Sequence, residues 1–292
     1  MINFNLNEYV SNNYNQIYND ITSNKNGTKQ KRILEIIKNR VASRYDLYIQ
    51  NKTELAEVSE DEFYQRIQVK KALQSCYGNN VSLGKVKADI KKNQESVISG
   101  TCPYCLMGYP DTFDHYLPKG KFPEFSVMPL NLIPSCGTCN TNKSECWLED
   151  GKRKIINLYY DFIPSEKFIY AKIETVSEHN VPQVKFWIEQ NSLDDEDFRR
   201  INTHFQRLRL LGRYQEKAIS EMVGLIKTIS QYKYLSRDSI SQILEFSRNK
   251  EFNKFGINYW MTALYDAVLH DEEFIFKIIK GEYDKLLMQV SL

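Results

Sequence analysis

The sequence predicts a mostly helical α+β protein in which a short cysteine-rich segment separates two larger regions. Apolar residues recur at helical spacing in residues 1–100 and again from about residue 192 onward. Between residues 167 and 189, two segments alternate apolar and polar side chains as strands do. Residues 101–150 lack long periodicity and are rich in Cys, Pro and Gly. The chain is therefore predicted to have three regions: 1–100, 101–150 and 151–292.

The N-terminal region is predicted to be helical because its apolar residues form stripes. Ile33, Ile37, Val41 and Tyr45 are spaced four residues apart, which places them on one face of a helix. The segment 60–77 repeats this pattern. We expect these faces to form the core of the N-terminal region.

The C-terminal region is predicted to begin with a β-hairpin and to continue as helices. The segments "KFIYAKIETV" and "PQVKFWIEQ" have the period of two that is typical of half-buried strands. From Ser192 onward the period changes to that of a helix, through "SLDDEDFRRINTHFQRLRLLGRYQEKAISEMVGLIKTI" and beyond.

Composition and charge limit the classes of protein that the chain can represent. The 292 residues carry a formal net charge of +2, so any attraction to nucleic acid must come from local patches. No apolar run has the length of a membrane span, and the first residues do not resemble a secretory signal. We therefore expect a cytoplasmic protein without a membrane partner. In that reducing compartment, paired cysteines favour metal binding over disulfides.

Four of the six cysteines form two C-x-x-C pairs, Cys102 with Cys105 and Cys136 with Cys139. Each pair can present two thiolates to one ion from a tight turn, and two pairs complete a tetrahedral zinc site. A redox motif would need only one pair, and unligated core thiols would not explain the repeated spacing. Thirty residues separate Cys105 from Cys136, about twice the spacer of a minimal zinc ribbon. We therefore predict a structural zinc ion that supports an inserted segment.

The inserted segment and the residues after it carry side chains suited to metal-assisted phosphodiester hydrolysis. His115 follows Asp114 directly, and Asn140 follows the last cysteine of the second pair. A neutral imidazole accepts a proton from water near neutral pH, whereas a hard divalent cation prefers carboxylate and amide oxygens. Because neighbouring residues of a strand point to opposite sides, a bend must bring Asp114 and His115 to one site.

These motifs, "CPYC", "FDHYLP" and "NLIPSCGTCNTNK", resemble the HNH nucleases, the zinc-stapled branch of the ββα-metal group, over residues 101–145. The resemblance implies that His115 is the general base and that Asp114 is the preceding metal ligand. It implies that Asn131 steadies the loop and orients the base. Asn140 would be the second ligand to a catalytic Mg²⁺ or Mn²⁺, which makes this an H-N-N version of the motif.

Several basic residues near the motif are candidate contacts to the substrate. Lys143, one helical turn after Asn140, is predicted to touch a phosphate. Many members of the family have a Gly-Gly turn where this chain has "KGKFPEFSVMP", which includes Lys119 and Lys121. Both lysines fit contacts to the substrate backbone and fit a solvated surface turn equally well. The stretches "GKVKADIKK" and "GKRK" flank the motif and are candidate walls of a phosphate-binding groove.

The sequence therefore predicts a metal-dependent HNH endonuclease that acts on DNA, with RNA as a further possible substrate. The family analogy suggests a bacterial anti-phage defence or restriction effector, and an ATPase or sensor protein as a partner. Two other hypotheses stay open: a zinc-stapled nucleic-acid-binding module without cleavage, and an assembly module in which zinc joins the helical regions. Neither explains why Asp114, His115 and Asn140 occur together.

Overall fold

The computed structural model of the chain describes residues 3, 5, 8–25, 28–174 and 182–290. Over these residues the protein is mostly helical, with three small antiparallel sheets of two strands each. None of the helices in these ranges combines the length and the apolar composition that crossing a membrane requires.

The chain divides into two compact units, an N-terminal unit of residues 2–163 and a C-terminal unit of residues 164–292. The predicted regions 1–100 and 101–150 thus belong to the same unit. The boundary between the units falls near residue 163, thirteen residues beyond the boundary that the change in composition predicted.

Short and medium-length helices build the first part of the N-terminal unit. They are α1 (Glu8–Asn12), α2 (Tyr14–Ser23), α3 (Thr28–Gln50), α4 (Glu62–Gln65), α5 (Ile67–Ser75), α6 (Val81–Lys92) and α7 (Ser96–Ser99). The stripe predicted for α3 is buried, since Ile37, Val41 and Tyr45 are each at most 5% exposed. Helix α3 therefore packs through the predicted face, although Ile33 is only half-buried. In segment 60–77 the prediction is wrong at Ile67, which is 71% exposed because the helix is interrupted at Arg66, whose ψ is 126°.

A strand pair followed directly by a helix lies at the centre of the N-terminal unit. Strand β1 (Thr112–His115) pairs antiparallel with β2 (Leu132–Ser135), with Thr112 opposite Ser135 and His115 opposite Leu132. Helix α8 (Gly137–Lys143) follows β2 after one residue. One cysteine pair thus lies before β1, and the other lies at the junction of β2 and α8.

The long loop between β1 and β2 packs against helix α3. The ring of Phe125 lies 6.1 Å from that of Tyr45 and 5.2 Å from that of Tyr48. The Tyr48 hydroxyl donates to the carbonyl of Leu130 at 3.0 Å. Because aromatic packing and a buried hydrogen bond hold both ends of this contact, α3 restricts the shape of the loop.

A second small sheet near the end of the N-terminal unit contains a buried arginine. Strands β3 (Leu148–Glu149) and β4 (Lys152–Arg153) form a tight antiparallel pair. Arg153 donates to both carboxylate oxygens of Asp161, at 2.8 and 3.1 Å, and to the carbonyl of Thr53 at 3.0 Å. This buried arginine ties the segment after the cysteine-rich region to the loop after α3.

The C-terminal unit contains the predicted hairpin. Strand β5 (Ile169–Glu174) pairs antiparallel with β6 (Gln183–Ile188), and the connecting residues 175–181 lie outside the described residues. The Asn258 side chain accepts from the amide of Phe168 at 2.7 Å and donates to the carbonyl of Glu166 at 2.7 Å. This buried amide therefore fixes the entry into β5.

Helices complete the C-terminal unit. They are α9 (Asp195–Leu208), α10 (Leu210–Gln231), α11 (Arg237–Phe255), α12 (Trp260–His270), α13 (Glu272–Ile279) and α14 (Asp284–Val290). The segment that the period predicted as one continuous helix from Ser192 is broken at Arg209, whose φ is 55°. Helix α9 begins at Asp195, where the side chain of Asp194 accepts from the amide of Asp197.

The buried carboxyl group of Glu124, in the loop between β1 and β2, predicts a pH dependence of stability. Arg44 donates to Oε1 at 2.9 Å, whereas Oε2 has no hydrogen-bond partner among the described residues. Burial outweighs Arg44 and raises the pKa of Glu124 from 4.5 to about 7. Because the folded state then binds the proton more tightly than the unfolded state, this group's contribution is lost as the pH rises through that interval.

We expect Glu124→Gln to remove this pH dependence. Relative to the variant, the wild type should lose about 1–3 kcal/mol of unfolding free energy between roughly pH 4.5 and pH 7.5. Urea denaturation at several pH values measures the difference. The readout is the slope of unfolding free energy against pH. The absolute free energy is not used, because the substitution also alters the contact with Arg44. Parallel stability curves for the two proteins would contradict the expectation.

Candidate functional site

The four cysteines of the two C-x-x-C pairs form one cluster. The Sγ atoms of Cys102, Cys105, Cys136 and Cys139 lie within 4.8 Å of one another, and those of Cys105 and Cys136 are 3.9 Å apart. Four sulfurs at about 2.3 Å from a tetrahedral zinc ion would be about 3.8 Å apart. The cluster is therefore positioned to hold a metal ion and is consistent with structural zinc.

The backbone around the first pair forms a tight turn that presents its sulfurs. The amide of Cys102 donates to the carbonyl of Gly108 at 2.7 Å, and Leu106 has a positive φ of 52°. A Cβ atom at position 108 would lie only 2.9 Å from the Cβ atom of Cys136. Glycine at this position therefore lets the first turn approach the second cysteine pair.

The closeness of the thiols favours the thiolate form of two of them. Hydrogen bonds with neighbouring thiols, that of Cys102 first, lower the pKa of Cys105 to about 7 and that of Cys136 further below its ordinary value. The same contacts raise the pKa values of Cys102 and Cys139 above their ordinary range, so these two thiols would release their protons on binding a metal ion.

Asp114 lies in a buried ion pair with Lys143. The Nζ atom of Lys143 lies 3.0 Å from each carboxylate oxygen and donates to the His115 carbonyl at 2.7 Å. The Tyr104 hydroxyl donates to Asp114 Oδ2 at 2.9 Å. Both charged side chains are at most 3% exposed. The carboxylate is thus oriented by two internal donors.

The position of Lys143 differs from the predicted contact with a phosphate. Lys143 follows Cys139 by four residues on α8, and residues at this spacing share one helix face. Cys139 is fully buried in the cysteine cluster, so the same face carries the lysine into the interior. Lys143 is therefore a partner of Asp114 and does not line the adjoining cavity.

His115 is held in one orientation with its Nδ1 as the proton acceptor. Its Nε2 lies 2.9 Å from the carbonyl of Ser126, and because a carbonyl only accepts, Nε2 carries the hydrogen. The Tyr77 ring packs 4.4 Å from the imidazole. Burial, and secondarily the nearby lysines, lowers the pKa of His115 to about 3. The imidazole is therefore neutral at neutral pH.

Asn131 ties together the two ends of the loop that holds His115. Its Oδ1 accepts from the amide of Leu117 at 2.7 Å. Its Nδ2 donates to the carbonyls of Leu117 at 3.0 Å and Phe125 at 3.2 Å. Asn131 is fully buried and does not line the cavity. Since Ser126 follows Phe125, these bonds position the carbonyl that orients His115.

Asn140 faces the same side of β1 as Asp114. Its Nδ2 donates to Thr112 Oγ1 at 3.2 Å, and Thr112 precedes Asp114 by two residues, the spacing that places side chains on one face of a strand. This contact uses the nitrogen of the amide and leaves Oδ1 as the acceptor atom. Asn140, in the first turn of α8, thus lines the same cavity as Asp114.

One cavity brings most of the predicted residues together. Its volume is about 660 Å³, and both Asp114 and His115 line it although they are neighbours in β1. Its other lining residues include Asn140, Lys119, Lys87 and Tyr77. The cavity thus joins an imidazole, a carboxylate, a carboxamide and two lysine side chains.

The basic stretches that flank the motif have different positions. Lys87, from "GKVKADIKK", lies on α6 and lines the cavity, whereas the residues of "GKRK" do not. Lys154 is paired with Glu149 at 2.5 Å, and Arg153 is buried against Asp161. Tyr77 also lines the cavity, which it reaches from the segment between α5 and α6, and no sequence motif indicates this position.

Removal of one cluster thiol should release the metal. We expect wild-type protein to contain a single zinc ion and Cys102→Ser to lose it, with a fall in unfolding free energy of at least about 3 kcal/mol. Cys146→Ser is the matched control, because Cys146 lies seven residues beyond Cys139 and is not part of the cluster. Zinc stoichiometry and thermal melting measure both effects. Equal zinc content in all three proteins would contradict this assignment.

Disruption of the Asp114 pair should destabilise the protein strongly. We expect Lys143→Met to cost about 3–5 kcal/mol, since it leaves a carboxylate buried without its counter-ion. Lys121→Met is the control, because Lys121 and its partner Glu60 are both nearly half exposed and 3.9 Å apart. Urea denaturation of the two variants measures the contrast, and similar losses in both would argue against the buried pair.

Comparison with known proteins gives one informative similarity. The chain is 29% identical over 219 residues to Protein ea31 of Escherichia phage lambda, and the alignment covers 69% of this chain and 73% of that protein. No protein-family profile matches the chain, and no solved structure does. The similarity to a phage protein describes relatedness and assigns no activity to the site.

Proposed function

We propose that the protein is a zinc-stapled, metal-dependent endonuclease of the HNH type that hydrolyses phosphodiester bonds of DNA. One observation carries the proposal. A neutral histidine with Nδ1 as its acceptor, a carboxylate and a carboxamide line the same cavity. The resemblance of residues 101–145 to HNH nucleases gives these three side chains matching roles.

His115 acts as the general base in this proposal. Its Nε2 is engaged by the carbonyl of Ser126, which leaves Nδ1 to accept a proton from water. Asn131 is a positioning residue, because it holds the loop that carries Ser126. The Tyr77 ring restricts the imidazole from another side.

Asp114 and Asn140 would hold the catalytic Mg²⁺ or Mn²⁺. Carboxylate and amide oxygens are ligands that such hard cations prefer, and the Oδ1 atom of Asp114, which accepts from Lys143, has a second lone pair for a cation. When bound, the cation would stabilise negative charge on the cleaved phosphate and on the leaving oxygen.

The Lys143 ammonium affects how well such a cation binds. Its charge offsets that of Asp114, so the free protein offers a divalent ion little net negative charge. Mg²⁺ sites commonly use one or two carboxylates together with substrate phosphates. We therefore expect the cation to bind more tightly with nucleic acid than without it.

The structural zinc serves as a scaffold in this proposal. All four positions of a tetrahedral ion would be filled by cysteines, so none is open for a reacting water. The cluster joins the turn before β1 to the start of α8. It thereby holds Asp114 and His115 on one element and Asn140 on another at the same cavity.

The proposed setting is bacterial anti-phage defence or restriction, in concert with an ATPase or a sensor protein. This part rests on the family analogy alone. Lys119 is the proposed contact to the nucleic-acid backbone at the cavity. Lys143 is withdrawn from that role because its ammonium is buried.

A second candidate function is a zinc-stapled module that binds nucleic acid, or assembles with a partner, without cleaving. The specific observation in its favour is that both carboxylate oxygens of Asp114 already have donors within the protein, Lys143 and Tyr104. A carboxylate used for internal structure alone would need no cation.

Plasmid nicking separates the two functions. We expect the zinc-loaded wild type to convert supercoiled plasmid to nicked or linear forms with Mg²⁺ or Mn²⁺. His115→Ala should reduce the rate by at least about 100-fold, because it removes the general base. His270→Ala is the control, since His270 is exposed at the end of α12.

Thermal melting verifies that each variant is folded, and a labelled RNA tests the other nucleic acid. Cleavage that survives His115→Ala would contradict the proposed mechanism. Binding of plasmid by the wild type without cleavage, with either cation, would favour the second candidate.

A further inference from the structure

Two lysines from separate parts of the chain converge on one tyrosine ring beside the cavity. The Nζ atom of Lys87, on α6, lies 3.8 Å from the centroid of the Tyr77 ring. The Nζ atom of Lys119, in the loop after β1, lies 4.6 Å from the same centroid. The Tyr77 hydroxyl donates to the carbonyl of Phe113 at 3.0 Å, which fixes the ring against β1.

Neither lysine is neutralised within the described part of the chain. No carboxylate there lies within 4.0 Å of the Nζ atom of Lys87 or Lys119. The cavity also has three acidic residues, Asp111, Asp114 and Glu145. Asp114 is paired with Lys143, and Asp111 accepts from the amide of Gly137 at 2.9 Å. Glu145 is exposed, and its carboxylate lies beside Gly120, the residue after Lys119.

The positive charge of Lys87 is destabilised by its surroundings, and a bound anion would offset this destabilisation. Burial, then repulsion from Lys119 and Lys91, lowers the pKa of Lys87. Cation–π contacts with Tyr77 restrain both ammonium groups and keep their donors ready for a ligand. Two like charges that contact the same ring and line the same cavity are suited to an anion that lies between them.

The surroundings of Tyr77 decide which part of a nucleic acid this pair contacts. Lysine ammonium groups and the His115 imidazole already pack against the tyrosine ring. The ring is therefore not an open platform on which a base could stack. A phosphate is left as the group that the two ammonium donors recognise, and phosphate contacts carry no direct sequence information.

We propose that Lys87 and Lys119, positioned by Tyr77, form a clamp for a backbone phosphate of the nucleic-acid strand that enters the cavity. This inference rests on the proposed function and assigns part of its substrate recognition to helix α6, outside the zinc-stapled segment. The clamp predicts binding with little dependence on base sequence and a strong dependence on salt.

The salt dependence of binding tests the clamp without any cleavage. A labelled DNA duplex is titrated with zinc-loaded protein in the absence of Mg²⁺ and Mn²⁺, at several KCl concentrations, by fluorescence anisotropy. Each phosphate contact contributes about 0.9 to the slope of log affinity against log salt concentration. We expect Lys87→Met with Lys119→Met to reduce the magnitude of this slope by about 0.9, the contribution of the one phosphate that the two lysines share. Methionine keeps most of the aliphatic stem while removing the charge.

Two controls distinguish lost charge from altered structure. The double replacement by arginine should keep the slope, because the charges remain. Lys85→Met should also keep it, because Lys85 lies on α6 at a different cavity, lined by Asp20 and Asp89. Melting temperature and zinc content verify the fold of each variant.

The outcomes separate this inference from the proposed function. An unchanged slope in the methionine double variant, an equal fall for Lys85→Met, or no binding by the wild type would overturn the clamp. The expected fall in slope with no cleavage of plasmid under any metal condition would support the clamp and contradict the nuclease. Cleavage of plasmid together with an unchanged slope would support the nuclease and contradict the clamp.

Discussion

The cluster of four cysteine thiols is the constraint on which the candidate site depends. Its sulfurs lie within 4.8 Å of one another, although thirty residues separate the two pairs. The segment is poor in regular structure, with strands of four residues and a helix of seven. Elements this short do not hold themselves together by secondary structure alone, so a bound ion would supply the missing free energy. The cluster thereby sets the distance between β1 and the start of α8.

The loop between β1 and β2 is a second constraint on the site, because hydrogen bonds fix its conformation. Asn131, the last residue of the loop, bonds to its start at Leu117 and to its middle at Phe125. From α3, Arg44 bonds to the middle of the loop and Tyr48 to its end. These contacts lie between the helical region and the cavity, and they end at the carbonyl that orients His115. The helices before the cysteines are thus part of the site's architecture, because an imidazole without a fixed tautomer cannot serve as a directed base.

Local sequence patterns predicted most of the helices and strands. The positions of individual side chains at the cavity depend on long-range packing, which those patterns do not contain. The repeated C-x-x-C spacing indicated the cluster, and the period of two indicated the hairpin at residues 169–188. Lys143 was assigned to a phosphate because its helix was read from Asn140, whereas its spacing from the buried Cys139 indicates the interior. Tyr77 reaches the cavity through the packing of helices, for which a single sequence carries no signal. The break at Arg209 has no Gly or Pro at the residue that adopts the positive φ.

X-ray absorption spectroscopy at the zinc edge tests the central constraint most directly. For purified full-length protein, the account predicts four sulfur neighbours at about 2.3 Å and no light-atom ligand in the first shell. That result would establish that one ion joins the turn before β1 to the start of α8, as the sulfur positions imply. Fewer sulfur neighbours, or a shell that includes nitrogen or oxygen, would contradict a closed four-cysteine site and the scaffold role assigned to it.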